Sequence, residues 1–222
     1  MKQPLWKYLL SFVTDVHIES TSSEYNEILH LNYVRGRYQL CTNKVIYSFA
    51  DKYDNFLKTF EVIDLNKQEF EDVLLLGFGL GSIPFMLENH FGTNYNYTGV
   101  EIDNEVIYLA SKYVLDDLKS EVQVVQADAD VFMQIDERRY DLICMDIFEE
   151  DKVPEVFEEI DFLEMLKESI TKNGMIIFNR LYLTDDDKLE SDKFYKSVFC
   201  SVFPQSKYII TGGNMMLINR PW

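Results

Sequence analysis

Apolar and polar positions change their period along the chain. Between Ser23 and Phe49 apolar residues fall in short runs, Ile28 to Leu31, Arg37 to Leu40 and Val45 to Ser48, separated by turn material at 32–36 and 42–44. Such runs predict a small antiparallel meander. From 51 to 63 the apolar positions Tyr53, Phe56, Leu57, Phe60 and Ile63 move to helical spacing, which predicts a helix leading out of the meander.

Beyond it, strand and helix patterns alternate. Val73 to Leu76 is a short, wholly apolar run that stops at Gly77-Phe78-Gly79-Leu80-Gly81, as a buried parallel strand does before a helix. Ser82 is the predicted cap of that helix, and Pro84 suits its first turn, where a missing N–H has no helical partner. Further strands are predicted at 95–100, 122–125, 140–145 and 175–178. Helices are expected after Asp103, with Val106, Ile107, Leu109, Ala110, Tyr113 and Val114 on one face, and near 158–171. Tyr108 and Tyr113 are read as core. The tail offers a helix at 192–203 and a hairpin of 207–211 with 215–219 around Gly212-Gly213-Asn214. The predicted class is α/β: a doubly wound, Rossmann-like parallel sheet with a small N-terminal β region and a C-terminal antiparallel hairpin. No internal repeat or low-complexity linker interrupts it.

Composition narrows the functional classes. A chain of 222 residues with 47% hydrophobic positions can enclose one good core. Against 38 Asp and Glu stand 21 Lys and Arg, a net charge of −17, which disfavours broad binding to nucleic acid or anionic membrane. No window holds eighteen uninterrupted apolar residues, and the N-terminus lacks a secretory pattern, so a soluble cytoplasmic protein is expected. Cys41, Cys144 and Cys200 have neither metal-ligand nor redox spacing, and His17, His30 and His90 are isolated. Reduced thiols and no metal site are expected.

Candidate chemistry gathers at predicted strand ends. Gly77, Gly79 and Gly81 lie between a buried strand and a helix, where the backbone must turn sharply and a ligand can approach closely. A tight turn with no ligand is the alternative. Ser82 stands where the dinucleotide pattern GxGxxG has its third glycine, and no Gly-Lys-Ser/Thr follows, which excludes a P-loop. Glu101 follows Gly81 by 20 residues at the end of the second strand, where a carboxylate can accept from both hydroxyls of a ribose. Asp128, at the end of the third, could accept from an adenine amine, with the Ala129 N–H meeting a ring nitrogen; a helix cap is its other reading. Asp103 suits a helix cap better than a ligand.

Leu-Leu-Leu-Gly-Phe-Gly-Leu-Gly-Ser, then Gly-Val-Glu-Ile-Asp, Gln-Ala-Asp-Ala and Tyr-Asp-Leu-Ile-Cys-Met-Asp resemble the spermidine synthase family and, more broadly, class I S-adenosylmethionine-dependent methyltransferases. The likeness runs from about residue 20 to 180. It implies a small β meander with its leading helix over 1–64 and a nucleoside-binding domain over 65–222. It places Gly77, Gly79 and Gly81 against the amino-acid tail of S-adenosylmethionine or decarboxylated S-adenosylmethionine, Glu101 on the ribose and Asp128 and Ala129 on adenine. Asp146 takes the place of the acid that binds or deprotonates an attacking amine, with Glu149 as the second acid of that stretch. Departures fall on the acceptor side. The family's Asp-Ser-Ser-Asp reads Asp146-Ile147-Phe148-Glu149, its Tyr-Gln reads Tyr25-Asn26, and its glutamine-bearing strand is replaced at 42–47.

Nine acids between Asp146 and Glu164 face the single base Lys152, and Asp185-Asp186-Asp187 adds another run. A solvated face and a cation-collecting mouth are the two readings. The expected activity is methyl transfer to a small, cationic acceptor, an amine among the candidates. Aminopropyl transfer and a non-catalytic binding role are the alternatives, and a nicotinamide enzyme is disfavoured by Ser82. Exposed apolar residues in the N-terminal region suggest a homodimer.

Overall fold

The computed structural model describes residues 3–43, 45–52, 54–149 and 152–222. Lys44, Tyr53, Glu150 and Asp151, which enter the sequence reading, lie outside them. The N-terminal region opens with α1 (Leu5–Leu10) and continues into a four-stranded antiparallel sheet. Its strands β1 (Val16–Thr21), β2 (Leu29–Val34), β3 (Arg37–Cys41) and β4 (Ile46–Ser48) lie in sequential order. The predicted meander supplies β2 to β4; α1 and β1 are additional. A register shift between His17 and Glu19 breaks the alternation of β1, and the six-residue α1 is mostly apolar apart from Lys7 and buries no residue, so neither carries a clean period. Helix α2 (Asp54–Val62) follows and buries Phe56 and Phe60.

The remaining elements are β5 (Asp72–Leu76), α3 (Ser82–Met86), β6 (Asn96–Glu101), α4 (Asn104–Tyr113), β7 (Val122–Gln126), α5 (Ala129–Ile135), β8 (Tyr140–Met145), α6 (Ile160–Glu168), β9 (Ile170–Leu181), α7 (Asp185–Phe194), α8 (Cys200–Val202), β10 (Lys207–Thr211) and β11 (Asn214–Ile218). Their seven strands form one sheet in the order β10-β11-β9-β8-β5-β6-β7. β5 pairs in parallel with both β6 and β8, whereas β11 runs antiparallel to β9 and β10. This is the predicted doubly wound sheet with its terminal hairpin.

Burial on both faces explains the unbroken apolar run of β5. Val73 and Leu75 join one core cluster, Leu74 and Leu76 the other. The first cluster also contains Leu29, Leu31, Leu40, Phe56 and Phe60, so the N-terminal sheet and α2 close one face of the main sheet. Thr21 Oγ1 donates to Glu105 at 2.9 Å, and Lys112 and Tyr113 both donate to Glu19, pinning β1 against α4.

Several local expectations are corrected. Ser82 is the first residue inside α3 and not its cap; Gly81, in the left-handed region, occupies that position. The Ser82 hydroxyl is engaged instead with the Ser48 Oγ at 2.6 Å and the Phe49 N–H. Tyr108 is 47% exposed, with its hydroxyl accepting from Lys112, because α4 turns it outward while Tyr113 is buried. The last helical region begins at Asp185 rather than 192, with Thr184 and Asp187 forming a capping box, and continues through a π-helical turn at 195–199 into α8. Asp185 to Asp187 therefore form a helix first turn, where acids are electrostatically favoured. His17 and His30, far apart in sequence, come together across β1 and β2 with ring centres 6.0 Å apart, both bonded to Ser20. No group of three His, Cys, Asp or Glu able to hold a metal occurs among the described residues.

Candidate active site

The sheet order reverses at β5: the chain moves to β6 and β7 on one side, then returns to β8 and β9 on the other. In such sheets a crevice opens at the carboxyl ends of the strands beside the switch. Gly77, Gly79 and Gly81 occupy that point with φ of 84°, 56° and 78°, conformations that glycine adopts without a Cβ penalty. The N–H groups of Gly77 and Phe78 both donate to the Val100 carbonyl, at 3.0 and 3.1 Å, bending the turn toward β6. On its other side Gly77 backs directly onto β8. A Cβ there would overlap the Asp146 carbonyl oxygen and lie 2.8 Å from its carbon.

The side chain of Phe78 turns down into the core beneath the loop and is 4% exposed. Its ring lies over Gly99 of β6, where a Cβ would overlap the ring edge, and Gly81 packs against its far end. From behind, Ser48 of β4 holds the loop: its Oγ accepts the Leu80 N–H at 3.2 Å and bonds Ser82. Glycine turn, Phe78 and the serine pair thus make a fixed cradle with its backbone toward the strand ends.

Glu101 ends β6 in the expected place. Its Oε2 accepts the Gly79 N–H at 3.0 Å and its Oε1 the Asp103 N–H at 3.1 Å. Burial raises the pKa of this carboxyl above the ordinary glutamate range, and the bonds from Gly79 and Asp103 only partly oppose it. Asp103 caps α4 through the Glu105 N–H and is almost wholly buried. It also accepts from Ser23 at 2.5 Å and from Asn26 at 2.9 Å, so the segment after β1 is laced over the end of β6. Tyr47 in turn donates to Asn26 at 3.0 Å. Tyr25 is exposed.

Asp128 is exposed and caps α5, its Oδ1 accepting from Asp130 and Val131; Ala129 is the buried first residue of that helix. The helix-cap reading of Asp128 is the one its bonds show, with Oδ1 engaged at the start of α5. Asp146 follows β8 and is half-buried. Its N–H donates to the Leu76 carbonyl at 2.8 Å, and its Oδ1 accepts from Asn179 at 2.8 Å. Asn179, buried on β9, is oriented by Asn214 of β11 at 2.9 Å. Glu149 is exposed and forms a backbone bridge with Lys152, outside this network.

The acidic stretch after Asp146 divides by function. Glu158 pairs with the buried guanidinium of Arg180 at 2.6 Å, which also stacks on Phe194. Glu164 pairs with Lys167, while Glu155, Glu159 and Asp161 are solvated. Most of the run behaves as a solvated or ion-paired face. Ser23, Ser48, Asn179 and Asn214 were not singled out as site residues by the sequence, and Asn26 entered only as the counterpart of the family's glutamine; each is a small polar residue placed by pairing between distant elements.

No family model matches the chain. Among curated proteins it is similar to a probable polyamine aminopropyl transferase of Bifidobacterium longum, 27% identical over 112 residues, which cover 50% of this chain and 24% of the relative. It is also similar to a polyamine aminopropyltransferase of Vibrio vulnificus, 27% identical over 152 residues, covering 67% and 50%. The matched segments thus span at most half the length of these relatives. Among solved structures, a probable spermidine synthase from Corynebacterium glutamicum aligns with a TM-score of 0.73 at 16% identity, over 92% of this chain and 79% of that one. Human methyltransferase-like protein 13 in complex with SAH aligns at 0.56 and 24%, over 69% and 73%. The fold is that of the class I S-adenosylmethionine-dependent methyltransferases. Over part of its length the sequence is similar to polyamine aminopropyltransferases, and a probable spermidine synthase shares the fold.

Proposed function

We propose that this chain is a transferase that binds a nucleoside sulfonium of the S-adenosylmethionine type at the strand ends and passes an aminopropyl group to a small amine. The observation that carries the reading is the pairing of two acids across the glycine turn. Glu101 is bonded to the Gly79 N–H on one side, and Asp146 is packed behind Gly77 and held by Asn179 on the other. The cradle fits such a ligand: the positive-φ turn at 77–81 exposes backbone, and Glu101 offers two oxygens to a ribose. The sulfonium supplies an alkyl group that a nucleophile can take without covalent enzyme chemistry.

In this reading Glu101 binds the ribose hydroxyls, while Asp128 and the Ala129 N–H meet adenine and Gly77, Gly79 and Gly81 line the tail. Asp146, with one oxygen fixed by Asn179, orients the incoming amine and takes its proton. Glu149, exposed and outside the network, adds charge at the mouth rather than a bond to the acceptor. Residues 1–64 form the acceptor wall through Ser23, Asn26 and Tyr47, and 65–222 the nucleoside side. The named activities of the curated relatives favour aminopropyl over the methyl transfer expected from the sequence. Decarboxylated S-adenosylmethionine is accordingly the preferred donor.

Methyl transfer remains the second reading, supported by Ile147 and Phe148, which give the acceptor side an apolar character in place of a hydroxyl pair. Calorimetric titration with S-adenosylmethionine, its decarboxylated form and 5′-methylthioadenosine tests both. Tighter binding of the decarboxylated form, with release of methylthioadenosine in the presence of putrescine, is expected. Binding of the carboxylated form alone supports methyl transfer, and binding of none overturns the enzyme reading.

A further inference from the structure

A cavity of about 480 Å³, whose lining includes neither Glu101 nor Asp146, lies between α1, the N-terminal sheet and helices α3 and α4. Its volume falls in the range of small-molecule sites, about 300–1,000 Å³. α1 forms its cover, with Leu5 and Tyr8 facing the space. The cover is tied at both ends. Gln3 donates to the Tyr38 hydroxyl at 2.8 Å, and Ser11 accepts the N–H groups of Arg35 and Gly36. Gly36 itself has no room for a Cβ, which would come within 2.8 Å of the Tyr8 ring.

Aromatic faces dominate the walls. Tyr33 and Tyr38 lie 5.0 Å apart, Tyr38 and Tyr113 5.3 Å, and Phe85 closes the opposite side. Two of the polar groups among them are held by partners outside the cavity lining. Arg37 is bidentate to Asp51 at 2.9 and 3.1 Å and sits over Phe85, and the Tyr113 hydroxyl donates to Glu19 at 2.6 Å. Asp117 is exposed among the lining residues, so an anion meets a like charge on an already acidic protein. Leu80, Gly81 and Ser82 form part of the wall, and these belong to the turn whose other side carries Gly79.

We propose that this cavity binds an uncharged aromatic small molecule, stacked among Tyr33, Tyr38, Tyr113 and Phe85, and that its occupancy stiffens the glycine turn from behind. Offset and edge-on ring packing favours an aromatic guest over an aliphatic one of equal volume. Coupling follows from the shared wall, since a ligand that orders Leu80 to Ser82 changes the loop that the strand-end site uses.

The test uses the full chain and the uncharged fluorophore N-phenyl-1-naphthylamine. Saturable binding of one probe per chain is expected, with the anionic 8-anilinonaphthalene-1-sulfonate at least about tenfold weaker. Val114→Trp, which fills the cavity from the residue that follows α4, should weaken the probe at least about tenfold, with circular dichroism confirming that the variant is folded. Leu5→Ala, at an exposed position of the cover, should weaken it about threefold. Amide exchange over 77–82 should slow on saturation in the wild type and stay unchanged in Val114→Trp, a readout that needs no ligand at the strand ends. Non-saturable binding, equal affinity in a folded Val114→Trp, or unchanged exchange overturns the proposal. Loss of the probe as the chain self-associates also overturns it, by assigning the cavity to a second copy.

Discussion

Gly99→Ala sets two physical effects against each other. Gly99 lies in β6, and its φ is not in the positive region, so alanine suits the backbone. On backbone entropy alone the substitution should stabilise by about 0.5–1 kcal/mol. The new Cβ, however, overlaps the edge of the Phe78 ring and lies 2.8 Å from Cγ and 3.0 Å from Cε2. Phe78 cannot yield, because Gly81 packs at its tip and its own backbone is fixed to Val100. Overpacking of this kind costs about 1–3 kcal/mol, so the net loss is about 0–2.5 kcal/mol, with the clash winning by about 1 kcal/mol at mid-range. At about 2–4 °C per kcal/mol for a chain of this size, that mid-range loss lowers the melting temperature by about 2–4 °C. Nucleoside affinity should fall with it, since moving Phe78 moves the turn. The decisive measurement is a double-mutant cycle with Phe78→Ala. That variant alone loses about 3–5 kcal/mol, but within it Gly99→Ala should become neutral or stabilising, because the ring it collides with is gone. Denaturant titration of the four proteins reads the sign directly. If Gly99→Ala keeps the same destabilising effect in both backgrounds, the account of Phe78 as the anchor of the loop is wrong.

Two further outcomes depend on charge. Burial holds the Glu101 carboxyl above its ordinary pKa, and the ionised form, with both oxygens accepting, binds two hydroxyl donors more strongly than the protonated one; affinity for 5′-methylthioadenosine should therefore be full above that raised value and fall as the pH drops through it, earlier than for a solvated glutamate. Glu101→Gln should weaken binding by about tenfold to a hundredfold and flatten the pH dependence, which calorimetry across the acid-to-neutral range measures. Burial works to raise Asp51, but its two bonds to Arg37 and the guanidinium charge prevail and hold it below the ordinary range. Its contribution to stability is present above the unfolded-state value and lost as the pH falls through the folded one. Asp51→Asn should cost about 1–3 kcal/mol near neutrality, with the two melting curves converging in acid; a gap that persists there would show that the loss is not the carboxylate's charge.

β5 was legible in the sequence because burial on both faces demands an unbroken apolar run at Val73 to Leu76, and the apolar segments of β6 and β8 that flank it are buried likewise. The glycine turn was legible for a related reason: three positive-φ positions leave few other residues acceptable at 77, 79 and 81. Glu101 followed from its place at the end of the next predicted strand, whereas Asp146 entered as a site residue through the family resemblance, and only the strand order places it across the turn from Glu101. Elements lacking a period were not legible. β1 is broken by its register shift, and α7 buries only Ser191 and Phe194, so its hydrophilic face dominates the pattern.

What the sequence determined by itself was the backbone frame and the places where it must turn, because local sterics and solvent exclusion act on each residue type directly. Tertiary structure alone decided which polar groups meet. Ser82 engages Ser48 and Phe49 instead of capping its helix, Asn179 fixes Asp146, and Ser23 and Asn26 close over Asp103. A hydroxyl or an amide can bond to many groups at similar free energy, so its partner is chosen by whatever the packed sheet places within 3 Å of it. Apolar burial dictates where the chain goes, and only then do the short-range directional bonds that give the site its character have anything to select from.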